Sequence, residues 1–271
     1  MQSDFDIRRL YQPVQPTVKQ KGQYVSYSEV SPAATISSII YCYWELKTNE
    51  KLNDPFTYRV VADGCIDIFF QLDKPSENFV MGFCKKHTEF PLDNTFHYIG
   101  IRFLPTMFPA LFKVDAKELS NRFERLEVVV NETSTFIANN FAGNDELGQI
   151  KSKLDNYFIG ILKNANTDLD SRFKHALNII LINYGVINVQ SDLDVGISQR
   201  QLRRCFEYYV GDTAKAFSQV VRFQNILNAK PSTQSLRQNK IFFDLGYYDQ
   251  AHFIKEFKNF YGVTPNKAFG R

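Results

Sequence analysis

Three arginines, Arg200, Arg203 and Arg204, fall within five residues of one another. A guanidinium can bond the O6 and N7 of a guanine together or clamp a phosphate, and the acid on the same stretch, Glu207, cannot pair all three. Gln199 stands just ahead of them. About fifty residues later comes a smaller polar group of Gln250, Ala251, His252 and Lys255. Ala251 could meet a thymine methyl, and Gln250 suits a phosphate or the start of a helix. The first half of the chain offers less. His87 and His97 are ten residues apart, with no His-x-His pair and no matching Glu, which is not a metal-ligand pattern. Cys65, near Asp67, has no His partner and reads as a buried structural thiol rather than a nucleophile. Arg102 could bind an anionic ligand or pair with Asp63 or Asp67. Neither a phosphate-binding GxxxxGK[ST] loop nor a GxGxxG turn occurs. No catalytic residue, metal or cofactor is expected.

The elements that must position these side chains are legible from spacing. With Tyr248–Phe260 on a helix, Phe253, Phe257, Phe260 and Tyr261 share one side with Ile254 at its margin, while Ala251, His252, Lys255 and Asn259 lie opposite. Asp249 is placed to cap it, and Gly262 closes it ahead of Pro265. Upstream, Ser198 can cap a helix through Tyr208, with Leu202, Cys205, Phe206 and Tyr209 as its apolar stripe and Arg200, Arg203, Arg204 and Glu207 turned away. Between them runs a long amphipathic segment capped by Asp212 or Thr213 and ended by Pro231. Such a rod spans roughly 26 Å, long enough to hold two recognition helices on one face about one DNA turn, roughly 34 Å, apart. Arg222 on this rod reads as a surface or phosphate-binding residue.

Charge divides the chain in the same way. From Ser198 to Arg271 there are twelve Lys and Arg against five Asp and Glu, a net of +7, while the whole chain carries +3 and residues 1–197 therefore −4. A basic module on a mildly acidic one is the electrostatic footprint of a nucleic-acid-binding domain joined to something else.

The run LGYYDQAHFIKEFKNFYGVTP closely resembles the signature of AraC/XylS-type transcription regulators. ISQRQLRRCF resembles the first recognition helix of that family, and VVRFQNIL its connecting helix. The resemblance covers roughly residues 171–271 and implies an all-α DNA-binding domain with two helix-turn-helix units. It places His252 and Lys255 toward the DNA groove. Phe242 stands where the family usually has a small Ala beneath the second recognition helix, and NVQSDLDVG is short and poor in apolar residues for a first scaffold helix. In the first half, VVADGCIDIFFQL followed by YIGIRFLPTMFPALF resembles the N-terminal domain of a subgroup of these regulators. Asp63, Gly64, Cys65 and Asp67 fit a Pro-Asp-Gly-Cys-x-Asp-like motif with Ala62 for the Pro. Gly100, Arg102, Phe103 and Pro105 fit a Gly-x-Arg-Phe-x-Pro-Gly-like one with Thr106 for the Gly. A barrel-like, cupin-like sensing or oligomerising domain is implied.

The expected fold class is α+β. A polar, loosely packed arm (1–23) leads to a β-rich domain (24–115), a helical linker (116–170) and the DNA-binding domain (171–271). Strands are expected in VSYSEV, IIYCYWEL, CIDIFFQL and FHYIGIRFL, with turns at Asn53-Asp54-Pro55, Asp63-Gly64, Asp73-Lys74-Pro75 and Asp93-Asn94. A short helix could follow Pro32. Beyond Pro105, MFPALF, KELSNRF, ETSTFIANNFAG, Glu146–Lys163 and Ser171–Tyr184 read as helical. With 25 Phe and 14 Tyr, core-forming material is plentiful. There is no run of 18 apolar residues and no apolar core in MQSDFDIRRLYQPVQP. Cys42, Cys65, Cys84 and Cys205 lack CxxC spacing and suit free thiols in a reducing compartment. The expectation is a cytoplasmic regulator of the AraC/XylS type, not an enzyme and without a membrane, which binds double-stranded operator DNA through Gln199, Arg200, Arg203, Arg204, Gln250, Ala251, His252 and Lys255. The resemblance adds RNA polymerase, a small-molecule effector and a homodimer partner to its expected partners. Activation is the commoner mode in that family, but activation and repression are not distinguished by these residues. The competing reading is a metal- or thiol-dependent enzyme with a cupin-like active site and an accessory DNA-binding tail. A DNA-repair methyl acceptor would require a reactive Cys-rich module, which this sequence lacks.

Overall fold

Alternating side chains in β2 (Ile40–Thr48), β4 (Ile66–Gln71) and β7 (His97–Phe103) build a sheet that is buried on both faces. The computed structural model describes residues 5–16, 24–229 and 246–269. One antiparallel sheet has the order β1-β2-β7-β4-β5-β8, with β1 Val25–Val30, β5 Lys74–Met81 and β8 Phe123–Arg125. A separate ribbon pairs β3 (Phe56–Val60) with β6 (Thr88–Leu92). Ile66, Ile68 and Phe70, with Ile99, Ile101 and Phe103, point to the main core, while Cys42, Trp44 and Leu46 join Tyr58 and Phe96 in a smaller one. The two motifs meet in register, since Arg102 lies opposite Asp67 on one side and Cys42 on the other.

No sheet closes on itself among the described residues, so the expected barrel is corrected to an open sheet faced by a two-stranded ribbon. Closure fails because β3 and β6 pair with each other, and β8 contributes only three residues to the edge.

The helical elements fall close to their expected spans, apart from three short ones, Ile7–Leu10, Leu126–Val129 and Pro265–Phe269, where no helix was expected. They are α1 (Ile7–Leu10), α2 (Met107–Phe112), α3 (Leu126–Val129), α4 (Asn131–Asn140), α5 (Leu147–Leu162), α6 (Ser171–Ile182), α7 (Gln199–Val210), α8 (Ala214–Ala229), α9 (Gln250–Tyr261) and α10 (Pro265–Phe269). The turn after Pro32 is a 3-10 helix, Ala34–Ile36. KELSNRF is only helical in part. A 3-10 turn covers Ala116–Leu119, and Phe123 already belongs to β8.

The opening segment is the clearest departure. Residues 5–16 form no loose arm but a strap packed between the sheet and the C-terminal helices, with Ile7, Tyr11 and Gln15 buried. Tyr11 Oη donates to the Asp63 carbonyl at 2.7 Å, and Gln15 bridges the Val61 backbone and the Asp63 carboxylate. Buried Ile7, Tyr11 and Pro13, spaced along it, rather than its average polarity, decide its fate. A single buried cluster consequently runs from Ile7 through the sheet to Tyr261.

Candidate nucleic-acid interface

Ser198 caps α7 in a capping box with Gln201, and Gly211 ends it at φ +102°. This satisfies the exposed backbone groups at both ends and leaves the side chains free to divide by polarity. Leu202, Phe206 and Val210 are buried, and Gln199, Arg200, Arg203 and Arg204 are exposed. Arg203 Nε donates to Glu207 at 2.7 Å, and Glu207 also meets Lys117 at 3.0 Å. The two hydrogen bonds hold the Glu207 carboxyl below its ordinary range. Among the described residues, Arg200 and Arg204 form no ion pair. The segment ahead of α7, residues 186–198, is turns rather than a helix, anchored by buried Leu193 and Val195.

Asp249 accepts from the His252 amide at 2.7 Å and caps α9, which Gly262 closes at φ +95°. Phe253, Phe257, Phe260 and Tyr261 are buried, and Gln250, Ala251, His252, Lys255 and Asn259 are exposed. Phe223 of α8 packs its ring on Phe257 and Phe260. Thr213, not Asp212, supplies the side-chain bond to an α8 amide, at Ala216. Phe242 and Pro231 lie outside the described residues.

Arg222 is neither a surface group nor free for phosphate. Its Nη2 donates to Glu256 at 2.7 Å, its Nη1 to the Gly246 carbonyl, and its guanidinium stacks 4.1 Å from the Tyr247 ring centroid. Glu256, also bound by Gln219, thus locks α9 to α8. Gln224 was equally unforeseen. Wholly buried, it accepts from the Val14 amide and donates to the Val14 and Ala62 carbonyls, joining strap, sheet and α8. Its signal is a polar residue on an apolar stripe, a turn after Val220 and Val221.

The N-terminal half reaches the recognition face itself. Asn259 Nδ2 donates to the Lys85 carbonyl at 2.7 Å, and the His87 amide donates to the Asn259 carbonyl at 3.0 Å. Lys85 Nζ lies 2.6 Å from Asp212. The connection between β5 and β6 therefore sits against the C-terminal end of α9, bordering a cleft of about 680 Å³ that His252 and Lys255 also line.

Behind that connection, between the sheet and the β3–β6 ribbon, lies a cavity of about 190 Å³. Arg102 beside it pairs with Asp67 at 3.1 Å and Asp63 at 3.3 Å, with Glu29 at 3.6 Å, which settles its role as structural. Trp44 Nε1 donates to Asp67 at 2.8 Å. A Cβ on Gly100 would strike the Trp44 indole, so this glycine makes the room in which the ring lies. Gly64, at φ +71°, brings its turn against Phe217 of α8. Burial pushes the Cys42 thiol up to about 12, Cys84 to about 11, and Cys65 well above its ordinary value. All four cysteines are free. His97 bonds Glu45 and His87 meets Asn259, so the two histidines serve different partners. No group of three or more metal-ligating side chains converges among the described residues. No described helix is long and apolar enough to cross a membrane.

Residues 194–271 match a family described as a helix-turn-helix domain, and residues 28–125 match a domain of unknown function, DUF6597. No curated protein matches the sequence. Among solved structures the chain is similar to ToxT from Vibrio cholerae. An apo ToxT variant is 12% identical, covering 84% of this chain and 96% of that one, with a TM-score of 0.45. ToxT bound to (E)-4-(8-methylnaphthalen-1-yl)but-3-enoic acid is 12% identical over 91% and 98%, with a TM-score of 0.40. Wild-type ToxT with bound unsaturated fatty acid is 10% identical over 92% and 97%, with a TM-score of 0.36.

Proposed function

We propose that this chain is a DNA-binding transcription regulator of the AraC type, whose matched helix-turn-helix domain grips operator DNA with the outer faces of α7 and α9. In this reading α7 and α9 are the recognition helices of two helix-turn-helix units, although the turns of 186–198 replace an ordinary scaffold helix in the first. The observation that carries it is the pair Arg200 and Arg204, exposed on a doubly capped helix without an acid partner among the described residues. Arg203 is held only by an exposed pair, which is worth about 0.3–0.5 kcal/mol and yields readily to phosphate. Gln199, Gln250, Ala251, His252 and Lys255 complete the surface. The division into 24–115, 116–170 and 171–271 is retained as one of roles, with the N-terminal half, marked by the Asp63-Gly64-Cys65-x-Asp67 turn, as the part that senses. A thiol-dependent enzyme finds little support, since buried, protonated thiols are poor nucleophiles.

Binding titrations of the full chain against an operator selected from random DNA test the assignment. Arg200→Ala or Arg204→Ala is expected to cost about 1–3 kcal/mol and relax preference at one or two base positions. Lys255→Ala is expected to cost less and act evenly across sequences, as a phosphate contact does. Should Lys255→Ala or His252→Ala prove the more damaging and more base-specific, α9 rather than α7 dominates recognition.

A further inference from the structure

The cavity under the β3–β6 ribbon is lined on its apolar side by an unbroken chain of rings. Trp44, Tyr58, Phe90, Phe69, Phe79 and Phe123 follow one another at centroid separations between 5.6 and 6.4 Å. Its charged lining is of one sign: Asp63 and Asp67 face it, and among the described residues no Lys, Arg or His does. Arg102, only 1% exposed, lies behind those two carboxylates rather than in the wall. Two carboxylates thus stand between the cavity and one guanidinium. Taking as given that the N-terminal half holds a small ligand, we infer that this cavity selects an aromatic or alkyl ammonium and rejects carboxylates of the same shape.

Two physical terms support the choice. A cation over ring faces within about 6 Å is attracted by their quadrupoles, the more so when desolvated. A buried anion in the same place would face Asp63 and Asp67, with no cationic side chain in the lining to offset them. Burial raises the Asp67 carboxyl to about 6 even beside Arg102, so a cation bound against it would gain further by keeping it ionised. Size agrees, because cavities of about 150 Å³ hold a benzene ring and this one, at about 190 Å³, has room for a ring with a short amine arm.

Trp44 is the single tryptophan, so its fluorescence reports on the cavity alone. The full chain would be titrated with phenethylamine, 2-phenylethanol and 3-phenylpropanoate at neutral pH, where the amine is a cation. Phenethylamine is expected to change the emission saturably and to bind about tenfold or more tighter than the alcohol, with no response to the carboxylate. Asp67→Asn is expected to reduce the preference for the amine to about twofold, by removing one of the two charges in the lining. Val60→Phe, which fills the space from an apolar wall and leaves the carboxylates in place, is expected to abolish binding of the amine and the alcohol. If the carboxylate or the alcohol binds as tightly as the amine, the ammonium class is wrong while a ligand-holding domain stands. If none of the three moves either the emission or the melting temperature, both readings fall.

Discussion

Thr106 holds a backbone conformation that its side chain opposes. Its φ is +74°, in the left-handed region, at the point where the chain leaves β7 for α2. Its buried hydroxyl finds no hydrogen-bond partner among the described residues. A β-branched residue pays about 1–2 kcal/mol there, and the related motif carries Gly at this position because Gly pays nothing. Thr106→Gly is therefore expected to stabilise the full chain by about 1 kcal/mol, the relief of strain exceeding the extra freedom of Gly in the unfolded state. Urea unfolding would show a higher midpoint at unchanged slope. A lower midpoint would mean that the threonine methyl contributes more packing than the backbone loses. Arg102 shows the other side of the same motif. Its role could be narrowed from sequence to two alternatives, but only the register that sets it opposite Asp67 decides between them.

At the scale of elements, legibility tracks the presence of punctuation. The limits of α7 and α9 were readable because each has a capping side chain and a terminal Gly, and periodic aromatics between them. β5 begins Lys-Pro-Ser-Glu-Asn and β6 contains Pro91, so both hide the signals of a strand. Pro91 is tolerated because a two-stranded ribbon has only edges. β8 is three residues long and exists only by pairing with the end of β5. The strap and the aromatic cavity were out of reach, since both depend on which distant elements stack together. Gln224 belongs to that category and makes it testable. Replacing it by Ala would strand the Val14 amide and the Val14 and Ala62 carbonyls, and the loss expected is about 2 kcal/mol in urea unfolding of the full chain. Asn225→Ala, on the same helix but only half-buried, serves as the control. Equal effects of the two would mean that the strap contributes nothing to stability.

For the whole molecule, the decisive feature is that the β-rich half and the helix-turn-helix half meet at a short segment. Gly82 and Cys84 line the cavity, and the residues just after them, Lys85 and His87, hold Asn259 on the outer side of α9. A ligand can shift such an equilibrium only by binding one arrangement better than the other, and this segment is where cavity contents and helix position meet. The contacts exist only while the β5–β6 connection lies against α9, so weakening them lowers the population of that arrangement. DNA that needs the face uncovered should then bind more tightly. His87→Ala, which takes the ring Nδ1 from the Asn259 carbonyl, and Lys85→Ala, which breaks the ion pair with Asp212, are each expected to raise operator affinity of the full chain about three- to tenfold, equivalent to about 1 kcal/mol of coupling. The lysine variant is the sharper probe, because removing a positive charge would by itself weaken DNA binding. A rise in affinity would have to come from release of α9. Titrations at one fixed salt concentration would decide, and affinity that is unchanged or lower in both variants would mean that the connection supports the DNA-binding arrangement instead of restraining it.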